Sequence, residues 1–132
     1  MAVRVVLERV AIAKLLKSPT GPVARDALKR GKRVQALARA LVGKNTGRLA
    51  ASIDVRLRTR SGGLVVTIGT NLDYAMYVHD GTGVYGPAHR PIRPRRGHVM
   101  MFHSGSGGVV FAREVRGQRG TKYLERAIIA AR

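Results

Sequence analysis

Ile53-Asp54-Val55-Arg56-Leu57-Arg58-Thr59-Arg60-Ser61-Gly62-Gly63-Leu64-Val65-Val66-Thr67-Ile68 decides the fold. Its first half alternates apolar with charged residues, the period of a strand with one buried and one wet face. Ser61-Gly62-Gly63 supplies a turn, and Leu64, Val66 and Ile68 resume the alternation as the return strand of a hairpin.

Upstream the period changes from two to helical. Val23, Ala27, Leu28, Val34, Leu37, Ala38 and Leu41 share one helix face, while Arg25, Lys29, Arg30, Lys32, Arg33 and Arg39 occupy the other. Pro22 suits a first helical position, and Gly43 suits a stop. Gly31 sits mid-helix, where it lowers helix propensity. Before this helix, Val3, Val5 and Leu7 alternate as a short first strand. Residues 9–17 read as a short helix that Ser18-Pro19-Thr20-Gly21-Pro22 breaks.

Downstream, residues 72–79 have the length of two helical turns, and 80–97 holds Pro87, Pro91 and Pro94, which keep it extended. A second hairpin is expected from Val99–Phe102 and Val109–Val115 across Ser104-Gly105-Ser106-Gly107-Gly108. Thr121 is placed to cap a last helix whose buried face is Leu124, Ala127, Ile128 and Ala131. The order predicts an α+β fold, a mainly antiparallel curved sheet against one long helix, with a C-terminal helix and a long basic loop. With 132 residues, one domain is expected: 1–19 the strand and short helix, 20–43 the long helix, and 46–132 the sheet, the loop 84–97 and the last helix.

Apolar residues make up 45% of the chain, enough for a core, but two Phe, four Tyr and no Trp leave that core to aliphatic side chains and Ala. The absence of Cys excludes disulfide scaffolds, thiolate metal sites and thiol nucleophiles. No apolar run has the length of a membrane span, and Arg4, Glu8 and Arg9 interrupt the stretch a signal peptide needs. The formal net charge is +18. It is concentrated at the ends: residues 1–44 carry eleven basic and two acidic groups, 84–132 ten and two, and the middle is nearly neutral. Such a surplus repels itself and calls for an anionic neighbour, nucleic acid first.

Few residues carry chemistry. Gly81-Thr82-Gly83-Val84-Tyr85-Gly86 matches the letters of a dinucleotide-binding turn. The prolines that follow deny it the helix whose N–H groups would meet a pyrophosphate, so a flexible glycine loop is the simpler reading. His79, His89, His98 and His103 lack metal-site spacing, and His98 and His103 on a strand would face opposite ways. No elbow signal supports a Ser–His–acid triad. No catalytic residue, metal or cofactor is expected.

The basic segments remain. His89-Arg90-Pro91-Ile92-Arg93-Pro94-Arg95-Arg96 projects four Arg from proline-stiffened backbone, toward phosphates, a partner's acidic patch or solvent. Arg56, Arg58 and Arg60 line the wet face of the first hairpin strand, either as a channel lining for a polyanion or as an ordinary polar face. No aromatic residues interleave with these Arg for base stacking, and no helix-turn-helix pattern is visible, so sequence-specific reading of DNA is disfavoured.

Three motifs are left. Asn45-Thr46-Gly47-Arg48-Leu49-Ala50-Ala51-Ser52-Ile53 joins the long helix to the first strand. Tyr74-Ala75-Met76-Tyr77-Val78-His79-Asp80-Gly81-Thr82 follows the hairpin, and Gly120-Thr121-Lys122-Tyr123-Leu124-Glu125-Arg126-Ala127 closes the chain. Their succession over roughly residues 20–130 resembles the tail-completion, or neck, protein family of long-tailed (siphovirus-type) bacteriophages. Gly43-Lys44-Asn45 stands where that family has a proline before Thr46-Gly47-Arg48-Leu49. The resemblance implies a structural virion protein, not an enzyme, made in the host cytoplasm and built into the head–tail junction. It further implies a homo-oligomeric ring, six copies, between neighbouring head–tail connector and tail proteins, with genomic double-stranded DNA crossing its lumen and no membrane contact. Tyr74, Tyr77, Val78, Gly81 and Thr82 are then candidates for a subunit interface, with a core role open for the two Tyr and Val78. The loop 84–97 would reach an adjacent subunit or ring. A free, non-sequence-specific nucleic-acid-binding module is the competing expectation.

Overall fold

The computed structural model describes residues 2–43 and 47–132 and forms two units, the first built from the chain up to Asn71 together with Leu124–Arg132, the second from Leu72–Tyr123. Helices and antiparallel hairpins occur in separate runs, so the fold is α+β.

In the first unit, α1 (Arg9–Lys17) is followed by α2 (Pro22–Leu41), which opens with Pro22 after Gly21 and closes on the Val42 N–H donating to the Ala38 carbonyl. β1 (Asp54–Arg60) and β2 (Gly63–Gly69) form the expected hairpin, with Arg60 opposite Gly63 across a two-residue turn. The register pairs Val55 with Ile68 and Leu57 with Val66, which sets all four on one half-buried face against α2. Arg56, Arg58 and Arg60 take the other face and are exposed.

Gly31 is buried where α2 crosses this sheet. A methyl built on it would lie 2.7 Å from Val66 Cγ1 and 3.0 Å from Val55 Cγ1. The glycine that lowers helix propensity is thus what lets helix and sheet approach. A short helix, α3 (Arg48–Ser52), enters β1 with Gly47 at φ 72° and Leu49 buried. Ile53 is fully buried, and its carbonyl accepts from Gln35 Nε2 at 2.7 Å and Arg39 Nη2 at 2.9 Å. Burial of such a side chain contributes about 1.5–3 kcal/mol. Arg39, read as part of a solvated face, instead clamps α2 to the start of the hairpin.

Two expectations for this unit change. Residues 2–8 form no strand: Val3 is 87% exposed, and alternation alone supplies no neighbouring edge for their N–H and C=O groups. In α5 (Tyr123–Ala130), Ala127 is buried and Leu124 half-buried, but Ile128 is 50% exposed. The Thr121 hydroxyl donates to the Val78 carbonyl at 3.1 Å, within the second unit.

That unit holds α4 (Ala75–Asp80), a single 3-10 turn at Gly83–Tyr85, and the hairpin of β3 (Met100–His103) and β4 (Val109–Ala112). β3 and β4 pair only with each other among the described residues, so the chain builds two small sheets in place of one. The segment between α4 and β3 spends its backbone groups elsewhere. Thr82 and Val84 donate to the carbonyls of Gln118 and Arg116 at 2.9 and 2.8 Å, and Ile92 exchanges two bonds with Val115. The stretch 80–97 is therefore laced to 115–119, neither freely extended nor a flexible glycine loop.

Candidate functional site

The Tyr74–Thr82 motif meets Gly120–Tyr123, the start of the closing motif, inside the second unit. Thr121 and Lys122 donate backbone N–H bonds to the carbonyls of Val78 and His79 at 2.9 and 3.0 Å. Lys122 Nζ and His79 Nδ1 both reach Asp80 Oδ1 at 2.8 Å. The Lys122 bond, and after it the His79 bond, hold the Asp80 carboxyl below the usual carboxylate range. The Tyr123 ring meets the His79 ring edge to face at 5.2 Å. Burial pushes the Tyr123 phenol above its ordinary value, and the Asp80 charge adds to the shift. These contacts make the cluster a clasp between the two motifs.

The same clasp explains the glycine motif. Gly83 is at φ 63°, and a methyl on it would strike the Arg116 carbonyl; one on Gly117, at φ 90°, would strike the Thr82 carbonyl. The two backbones lie too close for side chains. The spacing Gly81, Gly83, Gly86 reflects that approach and builds no phosphate cradle, since the one-turn 3-10 helix Gly83–Tyr85 lies inside the motif and the segment after it, 86–99, is not helical.

Beside this contact lies an open groove of about 320 Å³, lined by Met76, Tyr77, Gly81, Thr82, Pro87 and Ile92 among others. Its walls are almost wholly apolar, and Met76 and Tyr77 are each more than half exposed. Three of the five expected interface residues, Tyr77, Gly81 and Thr82, come together here. Gly81 itself is buried, so it shapes the floor. Tyr74 is exposed but does not line the groove, and Val78 is half-buried under Thr121. Met76, Pro87 and Ile92 were not singled out from sequence; a residue-by-residue reading has no signal for a wall assembled from 76, 87 and 92.

The basic residues stay apart. On β1, Arg56 Nε lies 3.3 Å from Asp54 Oδ2. The Val55 N–H first, and Arg56 second, hold the Asp54 carboxyl low. Arg58 and Arg60 are exposed along the same strand face. In the second unit, Arg90, Arg93, Arg95 and Arg96 are exposed, and Arg93 Nη2 pairs with Glu114 Oε2 at 3.1 Å. Of Thr46, Gly47, Arg48 and Leu49, Thr46 lies outside the described residues, Arg48 is exposed, and Leu49 is buried. Gly47 takes the left-handed conformation that starts α3. This motif is built for a helix entry. Among the described residues, no group of three His, Asp or Glu is arranged to hold a metal, and no helix is long and apolar enough to cross a membrane.

More apolar surface is exposed elsewhere. In β3–β4, Met101 stands opposite Phe111, and both are about two-thirds exposed. In α1 no residue is buried, and Val10, Leu15 and Leu16 are exposed with Val3, Val5, Val6 and Leu7 before them.

Comparison with curated proteins and with solved structures returns no match. A family model described as "Bacteriophage HK97-gp10, putative tail-component" matches residues 12–81, from within α1 through α2, the first hairpin and α4. Since that match takes in more than half of the chain, the protein belongs to the HK97-gp10-like family of phage tail components.

Proposed function

We propose that this chain is a structural subunit of the phage neck, which assembles into a ring of six copies and joins head to tail around the DNA channel. Family membership supports a role in the virion, in contact with other phage proteins. A tail component is a structural part, not a catalyst.

The observation that carries the oligomer is the amount of apolar surface left uncovered. The N-terminal segment, the groove beside Tyr77 and the outer face of β3–β4 together expose more than a dozen large apolar side chains. A two-stranded hairpin is marginal in water unless something covers it. A stable contact needs about 1,000 Å² of such area, with a well-packed apolar centre. Tyr77, Thr82 and, at its rim, Tyr74 take the subunit contact in this reading. The loop arginines Arg90, Arg95 and Arg96 face the neighbouring ring.

A native mass measurement of the purified chain, with imaging of virions carrying a labelled copy, tests the proposal. A closed oligomer and label at the head–tail junction are expected. A chain that stays monomeric at high concentration, is missing from virions and binds nucleic acid tightly as a monomer would establish the free binding module instead.

A further inference from the structure

We propose that the exposed face of α2, joined by Arg132, is the surface that holds the phosphate backbone of duplex DNA. The inference rests on the proposed passage of DNA past the assembled protein and names the residues that meet it.

Arg25, Lys29 and Arg33 recur at four-residue intervals directly opposite the buried stripe of Ala24, Gly31 and Ala38. At 1.5 Å per residue the three span about 12 Å along the helix. Lys32 flanks the row on one side and Arg30 on the other. Ala36 and Ala40 continue its line, so no bulky side chain obstructs a rod lying along the helix. The fold adds a cation that helix periodicity cannot supply: Lys29, Arg30, Arg33 and Arg132 border one shallow depression of about 380 Å³, with Asp26 and Ala131. The one acid there, Asp26, is engaged by Arg30 at 2.9 Å. Among the described residues, no salt bridge engages Arg25, Lys29, Lys32, Arg33 or Arg132.

The other basic surfaces also carry one ion pair each, Arg56 with Asp54 and Arg93 with Glu114, and have fewer cations outside a salt bridge. Composition favours phosphate over an acidic protein surface. Protein interfaces are poor in Lys and need an apolar centre, whereas this face is Lys and Arg around alanine. Beyond its Arg and Lys it offers no Asn or Gln for adenine edges, since Gln35 is held by the Ile53 carbonyl. A rigid row of point charges attracts a polyanion by counterion release, without regard to sequence.

The test uses the full chain and a labelled random-sequence duplex of about 30 base pairs, titrated at several salt concentrations. Non-specific binding with a Kd of about 10⁻⁴–10⁻⁶ M at physiological salt is expected. The variant Arg25→Gln, Lys29→Gln, Arg33→Gln, Arg132→Gln should melt like the wild type and bind at least ~100-fold more weakly at low salt. Its log Kd against log salt slope should be shallower by about 3–4. Lys29→Gln alone should reduce the slope by about 1. Neutralising Arg56, Arg58 and Arg60 should leave binding within about threefold of the wild type. An unchanged slope in the fourfold variant, or equal losses from the β1 set, overturns the assignment. So does a wild-type chain that binds polyglutamate but not the duplex. A fourfold variant that still assembles and joins heads to tails, yet has lost duplex binding, supports the α2 face with the neck intact. A wild type that binds duplex through α2 but never oligomerises refutes the neck while leaving the face in place.

Discussion

Gly31 lies directly beneath Val66, so close that a methyl added to the glycine would stand 2.7 Å from Val66 Cγ1. Two effects oppose each other at this position. Replacing Gly by Ala in a helix interior gains up to about 1 kcal/mol of propensity. Forcing a carbon into a packed contact costs about 1–3 kcal/mol. The contact falls on two β-branched side chains of a paired hairpin, which yield little, so strain wins. Gly31→Ala should lower stability by about 1 kcal/mol in urea denaturation. In the background Val66→Ala the same change should be neutral or stabilising. Simple additivity of the two substitutions would show that the close approach is unimportant.

Asp80 makes the second unit acid-sensitive. Its carboxyl is held low in the fold by Lys122 and His79. A carboxylate with a depressed folded pKa stabilises the native state fully above its unfolded value, near 3.9. That contribution disappears as pH falls through the lower folded value. Asp80→Asn should therefore be less stable than the wild type at pH 6. The two should converge as the pH is taken below 3, in paired urea titrations. A difference that stays constant across that range would mean the ion pairs do not contribute.

Tyr123 produces the opposite limb. Burial raises its phenol, so the folded chain keeps it neutral at a pH where the unfolded chain ionises. Its contribution is complete below about pH 10 and is lost as pH rises through the folded value. Tyr123→Phe should remove that loss. The stability of the wild type minus that of the Phe variant should decline between pH 9 and 11, a comparison in which Lys titration cancels.

The parts of the fold visible in the sequence are those where one periodicity acts alone. Val55 and Leu57 against Arg56 and Arg58, and Leu28 and Ala38 against Lys29 and Arg33, each express a single buried face, and both elements form as read. Gly83 and Gly117 are not legible in the sequence, because their need for glycine comes from a chain returning to the same place 34 positions later. Val3, Val5 and Leu7 mislead for a related reason: alternation states that a segment is able to be a strand, and only a partner edge makes it one. The apolar groove and the Arg132 addition to the α2 row share this character. Tyr77 could be suspected alone, but Met76, Pro87 and Ile92 become a wall only once the 82–118 and 92–115 backbone contacts are made.

The loop 84–97 gives the last prediction. Read as a free basic arm, it should be removable without harm to the fold. In the structure Val84 bonds Arg116 and Ile92 bonds Val115 in both directions, so removal strips backbone partners from Val115 and Arg116. Each such bond contributes about 0.5–1.5 kcal/mol. Deletion of 84–97 should therefore destabilise the second unit, read as faster amide exchange at Val115 and Thr121. The triple variant Arg90→Gln, Arg95→Gln, Arg96→Gln keeps those bonds and should exchange like the wild type. In the proposed neck, where these arginines face the neighbouring ring, the variant should also reduce head–tail joining at least tenfold in an in vitro complementation assay. Full joining by this variant would remove the loop arginines from the neck contact.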